Sequence, residues 1–120
     1  MSRDQQRLFD YLTHIVEAIV RIQDYTEALN ELGFLENQMV QDAVIRNIEI
    51  IGEASHNIEK HYPEFAENHP ELPLVVAYEM RNAVSHGYFK VDTEVVWRTI
   101  QNDLPHLHSL VGNVLQSVVD

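Results

Sequence analysis

The chain has 120 residues, 45% of them hydrophobic, with four glycines, four prolines and no cysteine. That length and apolar content suit one domain with a single core, residues 1–120, and exclude a disulfide framework or a cysteine-ligated zinc site. Eight Lys and Arg against nineteen Asp and Glu leave a formal net charge of −11, which argues against generic nucleic-acid binding, because counterion release needs clustered basic side chains, and leaves a local basic patch or a basic protein partner as the alternatives.

Other classes fall as quickly. No apolar run approaches the roughly 20 residues of a membrane helix. The first residues, Met1 to Gln6, are polar and carry no signal-peptide core. A cytoplasmic protein with no membrane association is therefore expected. The scarcity of glycine and proline favours helices over a many-turned β fold.

Taken in order, residues 4–29 read as a first helix, because Leu8, Leu12, Ile15, Ile19, Ile22 and Leu29 alternate by threes and fours. Phe9, Val16 and Val20 widen that stripe. Gly33 ends the segment or its turn, and Asn37 is an N-cap candidate for a second helix over about 38–60. There Val40, Val44, Ile48, Ile51 and Ile58 form one stripe, with Ile45 and Ile50 off it. A helix apolar on more than one side asks for burial on more than one side, and a homodimer is one way to supply it. Gly52 allows close helix approach. Arg46, Asn47, Glu49 and Glu53 are the polar remainder, read as i,i+3 and i,i+4 pairs or interhelical bonds; a second reading puts Arg46 or Asn47 beside the motif described below.

Residues 61–73 hold three prolines, each disfavouring helix at the residue before it, and form the longest connection, with one short turn around Glu64–Glu67. A third helix over 76–86 follows. Asp92 is the N-cap of a last helix, with Glu94 in its first turn. Trp97, Ile100, Leu104, Leu107, Val111, Val114 and Val118 give that helix an a/d seam, and Pro105 should kink it. The expected fold is all-α, an antiparallel four-helix bundle with an extra turn in the 61–73 connection.

The third helix carries the chemistry. Val76, Ala77, Met80, Ala83 and Val84 share its core side, while Tyr78, Glu79, Arg81, Asn82, Ser85 and His86 share the other. Gly87 is the expected helix terminator, with Tyr88 just beyond. Asn82 and His86, four apart, are surface neighbours, so the amide can fix the imidazole tautomer. Arg81 and His86 stand about 140° apart around the axis, yet both can reach one phosphate lying across the helix end or across a dimer seam. A guanidinium suits phosphate and an imidazole suits proton transfer. From side-chain types alone a solvated helix face ending in a histidine is the better reading, since surface Arg and His are common.

A metal reading competes. Glu53-Ala54-Ser55-His56 has the Glu-x-x-His spacing of di-iron carboxylate bundles. Such a site needs a second copy, and Asp103-Leu104-Pro105-His106 is spoiled by its proline. His106 and His108, two apart on a helix, do not chelate one ion. No metal and no cofactor are expected.

Arg81-Asn82-x-x-x-His86-x-Tyr88 resembles the R-N-x-x-x-H-x-Y signature of the HEPN superfamily, and within it the HepT-like toxins of toxin–antitoxin systems. The stretch from Gln41 to Ala54 is similar to that family's second-helix block, and Val91 to Trp97 with Gln101 to Pro105 is similar to its closing segment. The match runs in order from about residue 7 to 115; at Ala77 to Met80, where relatives more often have small residues, the chain departs from it. What the resemblance implies is a dimeric, metal-independent endoribonuclease acting on RNA such as tRNA or mRNA. In it Arg81 binds phosphate, His86 transfers a proton and Asn82 orients His86 or the substrate. Ser85 and Tyr78 are candidates for substrate contact. The resemblance further implies a homodimer or larger homo-oligomer and a cognate minimal nucleotidyltransferase antitoxin that transfers AMP to Tyr88. The rival within the same resemblance is a non-catalytic helical partner of a nucleotidyltransferase.

Overall fold

The computed structural model describes residues 2–86 and 92–119, with the side chains of 83–86, 118 and 119 outside that description. The described residues contain helices and turns and no strand, so the fold is all-α. Helix α1 spans Arg3–Thr26. It opens on a capping box: Gln5 N–H donates to Ser2 Oγ (3.1 Å) and Ser2 N–H to Gln5 Oε1 (2.8 Å). Leu12, Ile15, Ile19 and Ile22 of its apolar stripe are fully buried.

A short helix, α2 (Glu31–Leu35), follows, where the sequence suggested an end at Gly33. Asn30 caps it by accepting from Gly33 N–H at 2.8 Å. The buried amide of Gln41 donates to the Phe34 and Leu35 carbonyls (2.9 and 3.0 Å), which closes its last turn. Phe34 is then buried, 5.4 Å centroid to centroid from Trp97.

Helix α3 (Gln38–His61) starts at the expected cap, Asn37 Oδ1 accepting from Val40 N–H at 3.0 Å. Tyr62 Oη donates to the Asp4 carbonyl (2.9 Å), and Arg21 Nε donates to Asn47 Oδ1 (2.8 Å), so α1 and α3 run antiparallel. The turn in the 61–73 connection is α4 (Pro63–Asn68), with its proline in the first turn where no donor is lost. Helix α5 (Leu74–His86) packs on the other side of α3. Within the chain, α3 is thus packed by α1 on one side and by α5 on another.

Helix α6 (Thr93–Arg98) has Asp92 as its cap, accepting from Glu94 and Val95 N–H. A π-turn over Thr99–Asp103 leads into α7 (Leu104–Val119). Where the sequence suggested a kink at Pro105, the structure has this widened turn just before the proline. A proline ring clashes with the carbonyl four residues back, and widening the preceding turn relieves it. α7 packs on α1. Between α5 and α7 lies an apolar groove of about 270 Å³, lined by Pro73, Val76 and Met80 on one side and Leu104 and Leu107 on the other. Val76, expected in the core stripe, is 63% exposed at this groove, while its neighbour Ala77 is buried. The stripe faces α3 at Ala77 and turns outward at Val76 because no described helix covers that flank. No described helix is long and apolar enough to cross a membrane.

Candidate functional site

Gly52 decides how the motif helix meets its neighbour. It is buried in α3 facing α5, and a Cβ there would overlap Arg81 Cβ, lie 2.7 Å from Arg81 Cγ and 3.1 Å from the Ala77 carbonyl. The absent side chain lets the root of Arg81 press onto the α3 backbone. From that notch the guanidinium reaches outward. Nη1 donates to Asn82 Oδ1 at 2.9 Å, and Nη2 stands 3.4 Å from Glu53 Oε2. Nε is buried with no hydrogen-bond partner among the described residues. The Arg81 side chain as a whole is 29% exposed, so its root is fixed while its fork remains open to a ligand.

Tyr78, one turn earlier, lies alongside. Its ring stacks on His56 of α3, centroids 4.3 Å apart and planes 19° apart, and Arg81 Cζ stands 5.9 Å from the same ring. The imidazole and the guanidinium together hold the phenol ring in place.

Arg81 opens into a cleft of about 440 Å³. Its floor is a stripe of α3 that includes Arg46, Glu49, Glu53 and Asn57, and α1 supplies Tyr11 and His14. Those α3 residues recur by threes, fours and fours, so one helix face carries them all. Of the two placements left open for Arg46 and Asn47, Arg46 lines the same cleft as Arg81. Asn47 does not: it is buried, accepts from Arg21 and donates to the Ala43 carbonyl at 2.8 Å. Glu53 is the residue that side-chain spacing alone did not join to Arg81. The usable signal was the Gly52-Glu53 pair, since a residue next to a close helix contact is brought within reach of the facing helix.

Arg81, Asn82 and Tyr78 of the sequence-predicted site are therefore neighbours. Asn82, expected to orient His86, has its Oδ1 occupied by Arg81. Ser85 and His86 belong to the last turn of α5, but their side chains, and Gly87 and Tyr88 entirely, lie outside the described residues. In the Glu-x-x-His pair, Glu53 faces Arg81 and His56 faces Tyr78. Among the described residues no three His, Asp or Glu side chains gather as a metal set would.

A family model described as "Ribonuclease HepT-like" matches residues 15–114. The chain belongs to the HepT-like family. Among its relatives, a protein of Thermococcus cleftensis named "Probable ribonuclease HepT" is 44% identical over 98 residues, which is 82% of this chain and 86% of that one. A Methanocaldococcus jannaschii protein named "Gamma-glutamylcyclotransferase and putative RNase" is 37% identical over 90% of this chain but only 47% of its own length. There the HepT-like region is one part of a longer protein. No solved structure matches the chain. The HepT-like match runs from the middle of α1 through α3 and α5 into α7, and so includes Gly52, Glu53, Arg81 and His86.

Proposed function

We propose that this HepT-like chain is an endoribonuclease, the toxin of a toxin–antitoxin pair, and that it needs no metal. The observation that carries the reading is Arg81: a guanidinium rooted against Gly52, short of hydrogen-bond acceptors, at the wall of an open polar cleft. Membership of a family described as ribonuclease supports it.

In this mechanism a ribose 2′-oxygen attacks the adjacent phosphorus and the bond to the 5′-oxygen breaks. The nucleophile belongs to the substrate, so the protein supplies only charge stabilisation and proton transfer. Arg81 takes the phosphate oxygens, exchanging the distant Glu53 carboxylate for a bidentate partner. His86 moves the proton, from the 2′-hydroxyl or to the leaving oxygen. Asn82 steadies the Arg81 fork or turns to His86, and Ser85 and Tyr78 contact the substrate. A homodimer brings two Arg81 and two His86 to one groove, which answers the objection raised by the −11 charge with a local positive field. The exposed Val75 and Val76 of α5 support such a pairing, since they leave the motif helix with an uncovered apolar flank. Tyr88, two residues past His86, is where an antitoxin nucleotidyltransferase would place AMP, adding phosphate charge that competes for Arg81.

The test is cleavage of a total tRNA pool by the purified chain in excess EDTA, with His86→Ala and Arg81→Ala alongside. Cleavage by the parent and by neither variant supports the reading. No cleavage by a folded parent free of AMP sinks it. Tyr88→Phe should cleave normally and resist silencing by the antitoxin and ATP; full silencing refutes the modification site. The second reading, a non-catalytic partner of a nucleotidyltransferase, is favoured by one observation, the charge of −11, which suits a basic protein surface.

A further inference from the structure

The cleft beside Arg81 has an order of charges that phosphate binding alone leaves unexplained. Arg46, Glu49 and Glu53 stand at i, i+3 and i+7 on α3, all lining that cleft. Glu53 faces Arg81. Arg46 and Glu49, a turn apart on one helix, form no ion pair and no hydrogen bond among the described residues. Arg81 meets α3 at Gly52, so Arg46 lies six residues away, about 9 Å along the axis.

Along the cleft the order is therefore cation, free carboxylate, cation. A run of phosphates does not suit it, because a carboxylate between two phosphate positions repels both. A nucleotide laid lengthwise does, with a phosphate at each guanidinium and a base edge between them, provided that edge donates. Guanine is the base whose edge fits best. Its N1–H and N2–H lie side by side, and both oxygens of one carboxylate can accept from them. Adenine and cytosine offer a single amino group beside an acceptor. Uracil offers one N–H between two carbonyl oxygens, which a carboxylate repels. The α1 wall, Tyr11 and His14, is aromatic and adds no further carboxylate.

We propose that this cleft is a nucleotide subsite that prefers guanine, Glu49 accepting from the N1–H and N2–H edge and Arg46 holding the phosphate one step from the one on Arg81. The proposal rests on the ribonuclease reading for the nature of its ligand.

The test uses uncleavable 2′-O-methyl oligoribonucleotides, one all-uridine and one with a single guanosine, bound to the full chain and followed by fluorescence anisotropy. The parent should bind the guanosine oligomer about tenfold more tightly. Glu49→Gln, which swaps one acceptor for a donor, should remove that difference. Arg46→Ala should weaken both oligomers alike and flatten the slope of log K against log salt by about 0.7, one phosphate contact on a single strand. Circular dichroism melts check that both variants fold. Equal binding of the two oligomers by the parent, or a guanine preference that survives Glu49→Gln, overturns the proposal. Cleavage of the matching 2′-hydroxyl oligomers is measured in parallel. Cutting without base preference overturns the subsite and leaves the ribonuclease reading standing. Guanine preference without cutting does the reverse.

Discussion

Gly52→Ala tests how α3 and α5 set Arg81, because two effects of opposite sign compete there. On an open helix the change would stabilise by about 1 kcal/mol, since alanine is the better helix former. Here the new methyl would overlap Arg81 Cβ and lie 2.7 Å from Cγ and 3.1 Å from the Ala77 carbonyl oxygen. Carbon atoms settle at about 3.5–4.0 Å. Arg81 Cβ and the carbonyl oxygen are tied to the α5 backbone, so no rotamer change relieves them and α5 must retreat by on the order of 1 Å. Overpacking of this kind costs about 1–3 kcal/mol. With the helix gain subtracted, the fold should lose up to roughly 2 kcal/mol, a drop in Tm of as much as about 10 °C for a chain of this size. Thermal and urea unfolding of parent and variant, followed by circular dichroism, measure it. A variant about 1 kcal/mol more stable than the parent refutes the reasoning, because that is the result of helix propensity acting alone. If the chain cleaves RNA, the same retreat displaces Arg81 and should slow cleavage about 100-fold.

Two further outcomes follow, one from a buried polar group and one from an exposed ion pair. Asn47→Ala leaves Arg21 Nε without its 2.8 Å acceptor at the α1–α3 contact, and should cost about 1–3 kcal/mol; an unchanged urea midpoint would show that solvent replaces the bond freely. The His69 imidazole, 2.8 Å from Glu71 Oε1, holds the Glu71 carboxyl below its ordinary value, aided by a backbone hydrogen bond. A depressed carboxyl stabilises the fold above the ordinary carboxylate range and loses that contribution as pH falls through the lowered value. NMR titration should therefore find Glu71 ionising low in the parent and moving up in His69→Ala; titration at the same pH in both would remove the pairing.

The legible parts of the fold were those where local chemistry and tertiary packing agree. Asn37 and Asp92 were readable as caps because an extended backbone with a short oxygen-bearing side chain has few other uses before an apolar stripe. Gly52 was readable as a candidate close approach because a glycine inside a long helix costs stability that a close contact can offset, although Gly112 in α7 has no such contact. Helix α2 was missed. Five residues around Gly33 carry too little periodicity, and the carbonyls at its end are satisfied by Gln41, which belongs to the next helix. Val76 was placed in the core because periodicity gives the direction a residue faces and not whether another helix stands there. At the site, Arg81 and Asn82 came from the motif and stand together. Arg46 and Glu49 could not be attached to it from sequence, since their nearness to Arg81 depends on how far α5 slides along α3, a distance set at Gly52.

The buried Nε of Arg81 has an evolutionary consequence. The donor has no partner among the described residues, and the nearest carboxylate, Glu53, is 55% exposed and 3.4 Å from Nη2. An unmet buried donor costs about 1–3 kcal/mol, and an aliphatic side chain of similar reach would fill the same notch without it. Selection for stability alone would therefore replace Arg81; on the ribonuclease reading proposed above, its role at the cleft is what keeps it. On that reading the position is a stability–activity trade-off, and a lineage that stopped using the cleft would drift first toward apolar residues there, gaining a firmer fold as it lost the site.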